Sequence, residues 1–287
     1  MKLDKFHIIL ICFVVVLLAY IIIKSNVLNV PKPGMVNDSL AAWVYPNIKR
    51  LDLNSDSGKM IKYGNEILMN TAKIVGPHAK NPSLKYAGNN LTCSNCHFRA
   101  GTEKNTLNLV GVVGRYPQYI ARFNDTLDLV ERVNNCFERS LNGRALPSDS
   151  YELKSIIAYL NFISQDIPAH VKVQYEGIPD IKPFTGTLDT AVGKQMYIRK
   201  CMTCHGSEGL GAPNNLDEHP DGYVYIIPPI AGPDSYNNGA GMHTLEKSAK
   251  FLYHEMPYND RGSLTTEEAY QIANYMNSLS RPRYYKK

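Results

Sequence analysis

The chain has 287 residues, enough for two domains of about 100–150 residues each. Hydrophobic residues make up 44% and charged residues 20%, a globular composition that excludes a disordered tail protein. The net charge of +5 is modest and its lysines and arginines are scattered, which argues against a nucleic-acid partner and leaves room for a local basic site for a small anion.

In chain order, Lys2 and Lys5 precede an unbroken apolar run from Ile8 to Ile23, closed by Lys24. As a helix this run spans about 24 Å, short of a ~30 Å hydrocarbon core. It is longer than the usual signal-peptide core of about 7–15 residues. Lysines at both ends can snorkel to extend it, and Ser25-Asn26-Val27 supplies no A-x-A cleavage pattern. Residues 1–30 are therefore expected to be a signal-anchor or transmembrane segment, with a cleaved signal as the alternative and a buried soluble helix as the third reading. Basic residues before the run hold the N-terminus inside, so the rest should work on the periplasmic side of the inner membrane.

A linker is expected over 31–54, a first domain over 55–165, a second linker over 166–186 and a second domain over 187–287. The linkers are marked by Pro31, Pro33 and Gly34, and by Pro168, Gly177, Pro179 and Pro183. Each domain opens with a glycine-containing helix, Lys59 to Thr71 and Thr190 to Arg199. Each closes with a tyrosine-rich one, Leu153–Ser164 and Glu267–Ser280. The echo of Ala158-Tyr159-Leu160-Asn161 in Asn274-Tyr275-Met276-Asn277 points to a duplicated module. Strand signals are short; Tyr223–Ile227 alternates and reads as a strand or an extended loop. The expectation is a mainly α fold without a large sheet.

Of six cysteines, Cys12 lies in the apolar run and Cys136 stands alone. The other four form Cys93-Ser94-Asn95-Cys96-His97 and Cys201-Met202-Thr203-Cys204-His205, each fitting covalent c-type haem attachment. Two cysteines three apart reach both vinyl groups of a porphyrin, and the adjacent histidine points at the iron. A zinc site or redox dithiol is the competing reading, but the pairs lie far outside zinc-ribbon spacing and a dithiol has no need of histidine twice. The fold expected is thus two class-I-like cytochrome c domains in tandem, with two covalently bound haem c.

Between Phe98 and Gln165 there is neither Met nor His. Cys136 is the soft donor available there for the far side of the iron. Lys104 and Lys154 are weaker candidates, an open site is another reading, and Met60, Met69 and His78 precede the motif. The stretch Arg132 to Ser140 reads as a helix, ending near Asn142-Gly143 with Gly143 suited to the C′ position. On it Arg132, Cys136 and Ser140 share one face, with Arg139 close by and Glu131 and Glu138 pointing elsewhere. Arg115 and Arg122 lie just upstream. A thiol beside guanidinium groups favours the thiolate that ligates iron or attacks sulfur, and such arginines can fork onto an oxyanion such as a sulfonate or thiosulfate. The plainer alternative is a buried structural cysteine, with the arginines paired to Asp128, Glu131 and Glu138. In the second domain Met242, His243, His254 and Met256 are available; Met256, in Met256-Pro257 before the closing helix, is favoured over Met242.

Several stretches together resemble the dihaem c-type thiosulfate dehydrogenase / tetrathionate reductase family. They are Asn90 to His97, Gly114-Arg115-Tyr116-Pro117-Gln118-Tyr119, Arg132 to Gly143, Gly239-Ala240-Gly241-Met242 and Met256-Pro257. The likeness covers roughly residues 55 to 283. It implies interconversion of two thiosulfates and one tetrathionate with two electrons. It also implies a His97/Cys136 catalytic haem, a His205/Met256 relay haem, and Arg122, Arg132 and Ser140 as substrate-binding residues. A periplasmic or membrane electron donor or acceptor is the expected partner. One departure stands out. Some relatives carry Lys immediately before the Met and exchange the two as ligands; here that position is Glu255, which cannot play that part. The rival readings are an electron-carrier cytochrome without a substrate and, less well supported, a dihaem peroxidase.

Overall fold

The computed structural model describes residues 46–285, apart from 172, 174–176 and 217–222. The apolar run at 8–23, Cys12 and most of the 31–54 linker lie outside the described residues. Within those described, no helix is long and apolar enough to cross a membrane.

Six helices of eleven residues or more carry the fold among the described residues. Helix α1 (Asp56–Met69) starts where the Ser55 hydroxyl accepts the Gly58 N–H at 3.0 Å. Helix α2 (Leu129–Arg139) opens on a reciprocal box in which Asp128 takes the Glu131 N–H and Glu131 takes the Asp128 N–H. Helix α3 (Tyr151–Ile163) is capped by Ser150, and α4 (Thr190–Lys200) by Asp189. Helix α5 (Leu245–Glu255) follows Thr244, and α6 (Thr266–Ser278) begins on a second such box, Thr265 with Glu268.

Each domain is built on a crossing of its first and last helix, α1 with α3 and α4 with α6. The glycines make the crossings close. A Cβ on Gly64 would stand 2.0 Å from the Ser155 carbonyl oxygen and 2.8 Å from Tyr159 Cβ; on Gly193 it would stand 2.1 Å from the Gln271 carbonyl oxygen and 2.9 Å from Tyr275 Cβ. The same geometry thus recurs, and the two tyrosines of the sequence echo occupy equivalent places. Each crossing nucleates its own core. Ile67, Phe137, Ile156, Tyr159 and Leu160 fill the first; Tyr197, Leu252, Ile272, Ala273 and Tyr275 fill the second. Two buried tyrosine hydroxyls then tie down the chain just past each Cys-x-x-Cys-His: Tyr159 donates to Ala100 O at 3.0 Å and Tyr197 to Gly206 O at 2.7 Å.

The described strands form two short antiparallel ribbons. Strands β1 (Gln118–Ile120) and β2 (Asp125–Leu127) make a hairpin that the sequence did not announce; strands β3 (Ala212–Pro213) and β4 (Tyr225–Ile227) pair, so the ambiguous 223–227 stretch is a strand only over its last three residues. The end of α2 also differs from expectation. Asn142, not Gly143, takes the left-handed backbone (φ 49). Gly143 serves close approach instead, since a Cβ there would lie 2.0 Å from the Tyr86 carbonyl oxygen.

Residues 234–242 of the second domain pack against the first. Asp234 accepts from the Asn90 backbone and side chain, both at 2.9 Å. The Asn237 side chain donates to Glu138 O at 2.8 Å, closing off carbonyls at the end of α2. Asn89 donates to both Ser140 O and Ser235 O. Tyr236 and Ala240 belong to the first domain's core. A second tie is ionic: Arg261 pairs with Glu103 of the first domain and, at 3.3 Å, with the buried Glu255. Its guanidinium also lies over the rings of Tyr258 and Phe98. Removing it in Arg261→Ala strands a buried carboxylate and is expected to cost about 3 kcal/mol in denaturant melts. Adding Glu255→Gln should recover part of that loss; a double variant no more stable than the single one would contradict this.

Candidate haem and anion site

Each Cys-x-x-Cys-His motif opens on a short helical turn that brings its cysteines and histidine together. The His97 ring meets the Leu107 carbonyl through Nδ1 at 2.6 Å, and that carbonyl is aimed by a left-handed backbone at Leu107 (φ 52). In the second motif His205 Nδ1 meets Pro228 O at 3.1 Å. A ring that donates Nδ1–H to a carbonyl keeps the Nε2 lone pair for a metal, with its orientation fixed. Burial lowers the pKa of both imidazoles, so they stay neutral as a ligand must. His97 is held down to about 4, with Arg132, Lys247 and Arg115 adding to the effect of burial. The four motif cysteines are unpaired to one another. Free thiols, a neutral oriented imidazole and two small cores form the donor set that a c-type haem needs, and the residues present fit the group.

Cys136 stands on α2 within the electrostatic reach of Cys93 and Cys96. Arg132, one turn earlier, donates from Nη1 to its sulfur at 2.9 Å. That sulfur in turn keeps Arg132 firmly charged, its pKa raised chiefly by the Cys136 charge. The unannounced hairpin explains how Arg122 arrives: it sits in the turn between β1 and β2, which swings it toward α2. Phe123 is then sandwiched, with Arg122 at 4.4 Å and Arg139 at 4.5 Å from its ring centroid. Arg139 also lies over Tyr284 and donates to Asn135 Oδ1. Ser140 forms the C-cap of α2. The expected same-face arrangement of Arg132, Cys136 and Ser140 is therefore set on one helix.

The plainer alternative required carboxylate partners for these arginines. Asp128 and Glu131 are instead spent on capping α2, and among the described residues no carboxylate pairs with Arg122, Arg132 or Arg139. The cations converge without a carboxylate to offset them, which leaves positive potential beside the sulfur.

The rival donors separate by packing. Lys154 is exposed on α3. Met69 lies in the first core and accepts from Ser94 Oγ at 3.2 Å. Met256 packs with Cys201 and Met202 against the second core, whereas Met242 packs against the first domain's core with Cys93. His254 is engaged through Nε2 with Pro179 O at 3.2 Å. Glu255 turns to Arg261. Sequence reading gave no place in the site to two second-domain residues, Lys247 and Gly241, the latter noted only within the stretch Gly239-Ala240-Gly241-Met242. A Cβ on Gly241 would lie 3.3 Å from Arg122 Nη1 and 3.5 Å from Lys247 Nζ, so both cations border the same space. Nothing in the pattern of the sequence marks Lys247 among its many lysines; tertiary placement alone reveals it.

Two helical modules, each with its own crossing, core and Cys-x-x-Cys-His, define a tandem c-type cytochrome carrying two covalently bound haem c. Residues 85–169 match the SoxA/TsdA cytochrome c domain, and residues 190–280 match the cytochrome c domain. The chain is 41% identical over 201 residues to thiosulfate dehydrogenase of Allochromatium vinosum, covering 69% of this chain and 72% of that protein. It is 33% identical over 238 residues to thiosulfate dehydrogenase of Stutzerimonas stutzeri, covering 83% and 72%. Among solved structures, thiosulfate dehydrogenase (TsdBA) from Marichromatium purpuratum superposes with a TM-score of 0.74 at 26% identity, covering 85% of this chain and 50% of that one. The chain belongs to the thiosulfate dehydrogenase family.

Proposed function

We propose that this protein interconverts two thiosulfates and one tetrathionate with two electrons. The observation that carries the reading is the convergence of Arg122 and Arg132 on Cys136, with Arg139 beside Arg122, without a carboxylate partner. Two dianions repel each other, so joining their outer sulfurs needs fixed positive charge where they meet. His97 and Cys136 would hold one haem iron, and His205 and Met256 the other; the packing of Met256 against the second core supports it over Met242. When bound, the haems provide the sink for two electrons on their way to an external one-electron acceptor.

The residues do the rest. Arg132 holds the Cys136 sulfur in place by donating to it at 2.9 Å, and Arg122, Arg132 and Ser140 orient the sulfonate of the first thiosulfate. The Cys136 thiolate and the outer sulfur of that thiosulfate join as a Cys–S–S–sulfonate adduct, and two electrons are released. A second thiosulfate attacks the adduct's outer sulfur, tetrathionate leaves, and the thiolate is restored. In reverse, two electrons cleave the adduct to thiolate and thiosulfate. Cytochrome c domains of this type are typically periplasmic, and we place this one on the periplasmic side of the inner membrane, held by residues 8–23.

The test is turnover of the purified two-haem protein in both directions, with thiosulfate and an artificial oxidant and with tetrathionate and a reduced viologen. Activity in either direction is expected. No activity in both, at full haem content, would return the protein to an electron carrier without its own substrate.

A further inference from the structure

Helix α5 of the second domain delivers Lys247 to the first domain's site. Its charge interacts with Arg132, Arg122 and Cys136. Its neighbour Lys250 finds a carboxylate, Asp180, at 2.7 Å. Lys247 finds none among the described residues. Burial, with Arg132, Arg122 and Lys250 adding to it, holds its pKa down to about 8, and the Cys136 sulfur acts in the opposite sense. Lys247 also lies in the first turn of α5, where the helix dipole adds positive potential. A partly buried cation beside two unpaired guanidiniums destabilises the empty protein. Such an arrangement is compensated when an anion arrives.

We propose that the anion site is completed across the domain boundary, with Lys247 binding a substrate sulfonate together with Arg122 and Arg132 while the bare Cα of Gly241 leaves room between the two domains' cations. This rests on the thiosulfate–tetrathionate reading and deepens it. Two thiosulfates bring more negative charge than the first domain's arginines at the sulfur can offset, and Lys247 adds a donor from the opposite wall. Its ammonium, unlike a forked guanidinium, suits an anion whose oxygens shift as the sulfur–sulfur bond forms or breaks.

The experiment uses the full two-haem protein and compares it with Lys247→Gln, Lys247→Arg and Gly241→Val. Thiosulfate affinity is measured by calorimetric titration without oxidant, beside KM, kcat and thermal midpoint. Lys247→Gln is expected to raise Kd and KM at least tenfold, with kcat changed less. Its thermal midpoint should be equal to or above that of the parent, because a like-charge repulsion has been removed. Lys247→Arg should restore Kd to within about threefold, and Gly241→Val should weaken binding as Lys247→Gln does. Affinity for Lys247→Gln within twofold of the parent would overturn the proposal, and so would a loss of affinity accompanied by a lowered thermal midpoint, which assigns Lys247 to packing. A parent that turns over neither thiosulfate nor tetrathionate fails at the underlying reading, an outcome distinct from an active parent whose Lys247 variant is unaffected.

Discussion

Cys136→Ala is expected to lower turnover of thiosulfate by roughly a thousandfold or more, the scale on which removal of a nucleophile acts. Alanine is the informative replacement because it keeps α2 intact; glycine should be equally inactive but adds about 1 kcal/mol of helix penalty. The sulfur is held by Arg132 at 2.9 Å on a helix whose capping is independent of it, so the fold and both haem attachments should survive. Cys136→Met separates the two roles assigned to the residue. It keeps a sulfur donor for iron yet cannot form a sulfur–sulfur bond with substrate. The visible spectrum of the variant should therefore report continued sulfur ligation while turnover stays near the alanine level. Near-normal rates for Cys136→Met would sink the covalent scheme and leave ligation as the role of Cys136; near-normal rates for Cys136→Ala would reduce it to a structural thiol.

Local chemistry explains what the sequence made legible. The two Cys-x-x-Cys-His motifs, the amphipathic face of Arg132, Cys136 and Ser140, and the glycine-bearing opening helices are all read from spacings of a few residues, and each lies where its period puts it. Contacts over long separations are not encoded that way. The hairpin that lifts Arg122 toward α2 rests on two three-residue strands, too short for alternation to register. Asn237, nearly a hundred positions from the α2 carbonyls it closes, looks like any loop asparagine until the domains are docked. Lys247 and Gly241 enter the site for the same reason, through packing of one domain on the other. Gly143 shows a subtler failure. The spacing predicts the turn after α2, but Asn also tolerates the left-handed region, and Asn142 takes it, so Gly143 is there to let Tyr86 approach.

Gly193→Ala is expected to be among the most destabilising single substitutions in the chain, and Gly64→Ala its counterpart in the first domain. In an isolated helix the change would help by about 1 kcal/mol. Here the added carbon would meet the Gln271 carbonyl oxygen at 2.1 Å and the carbonyl carbon at 2.9 Å. These are backbone atoms of α6 and cannot rotate away as a side chain could. The helices must separate, which opens the contact of Tyr197 with Tyr275, whose rings lie 5.3 Å apart, and loosens a core that also seats Met256. Overpacking of this kind costs about 3 kcal/mol or more, equivalent to a fall of roughly 6–12 °C in thermal midpoint for a chain this size. Lys194→Ala, one residue on and exposed, should stay within about 0.5 kcal/mol of the parent. The second domain should loosen selectively in Gly193→Ala, shifting the spectrum of the His205-linked haem while thiosulfate affinity at the Cys136 site falls less than the relay of electrons. Melting of Gly193→Ala at or above the parent's temperature would mean that the crossing has slack, and that the repeated glycine is a relic of duplication rather than a requirement of the fold.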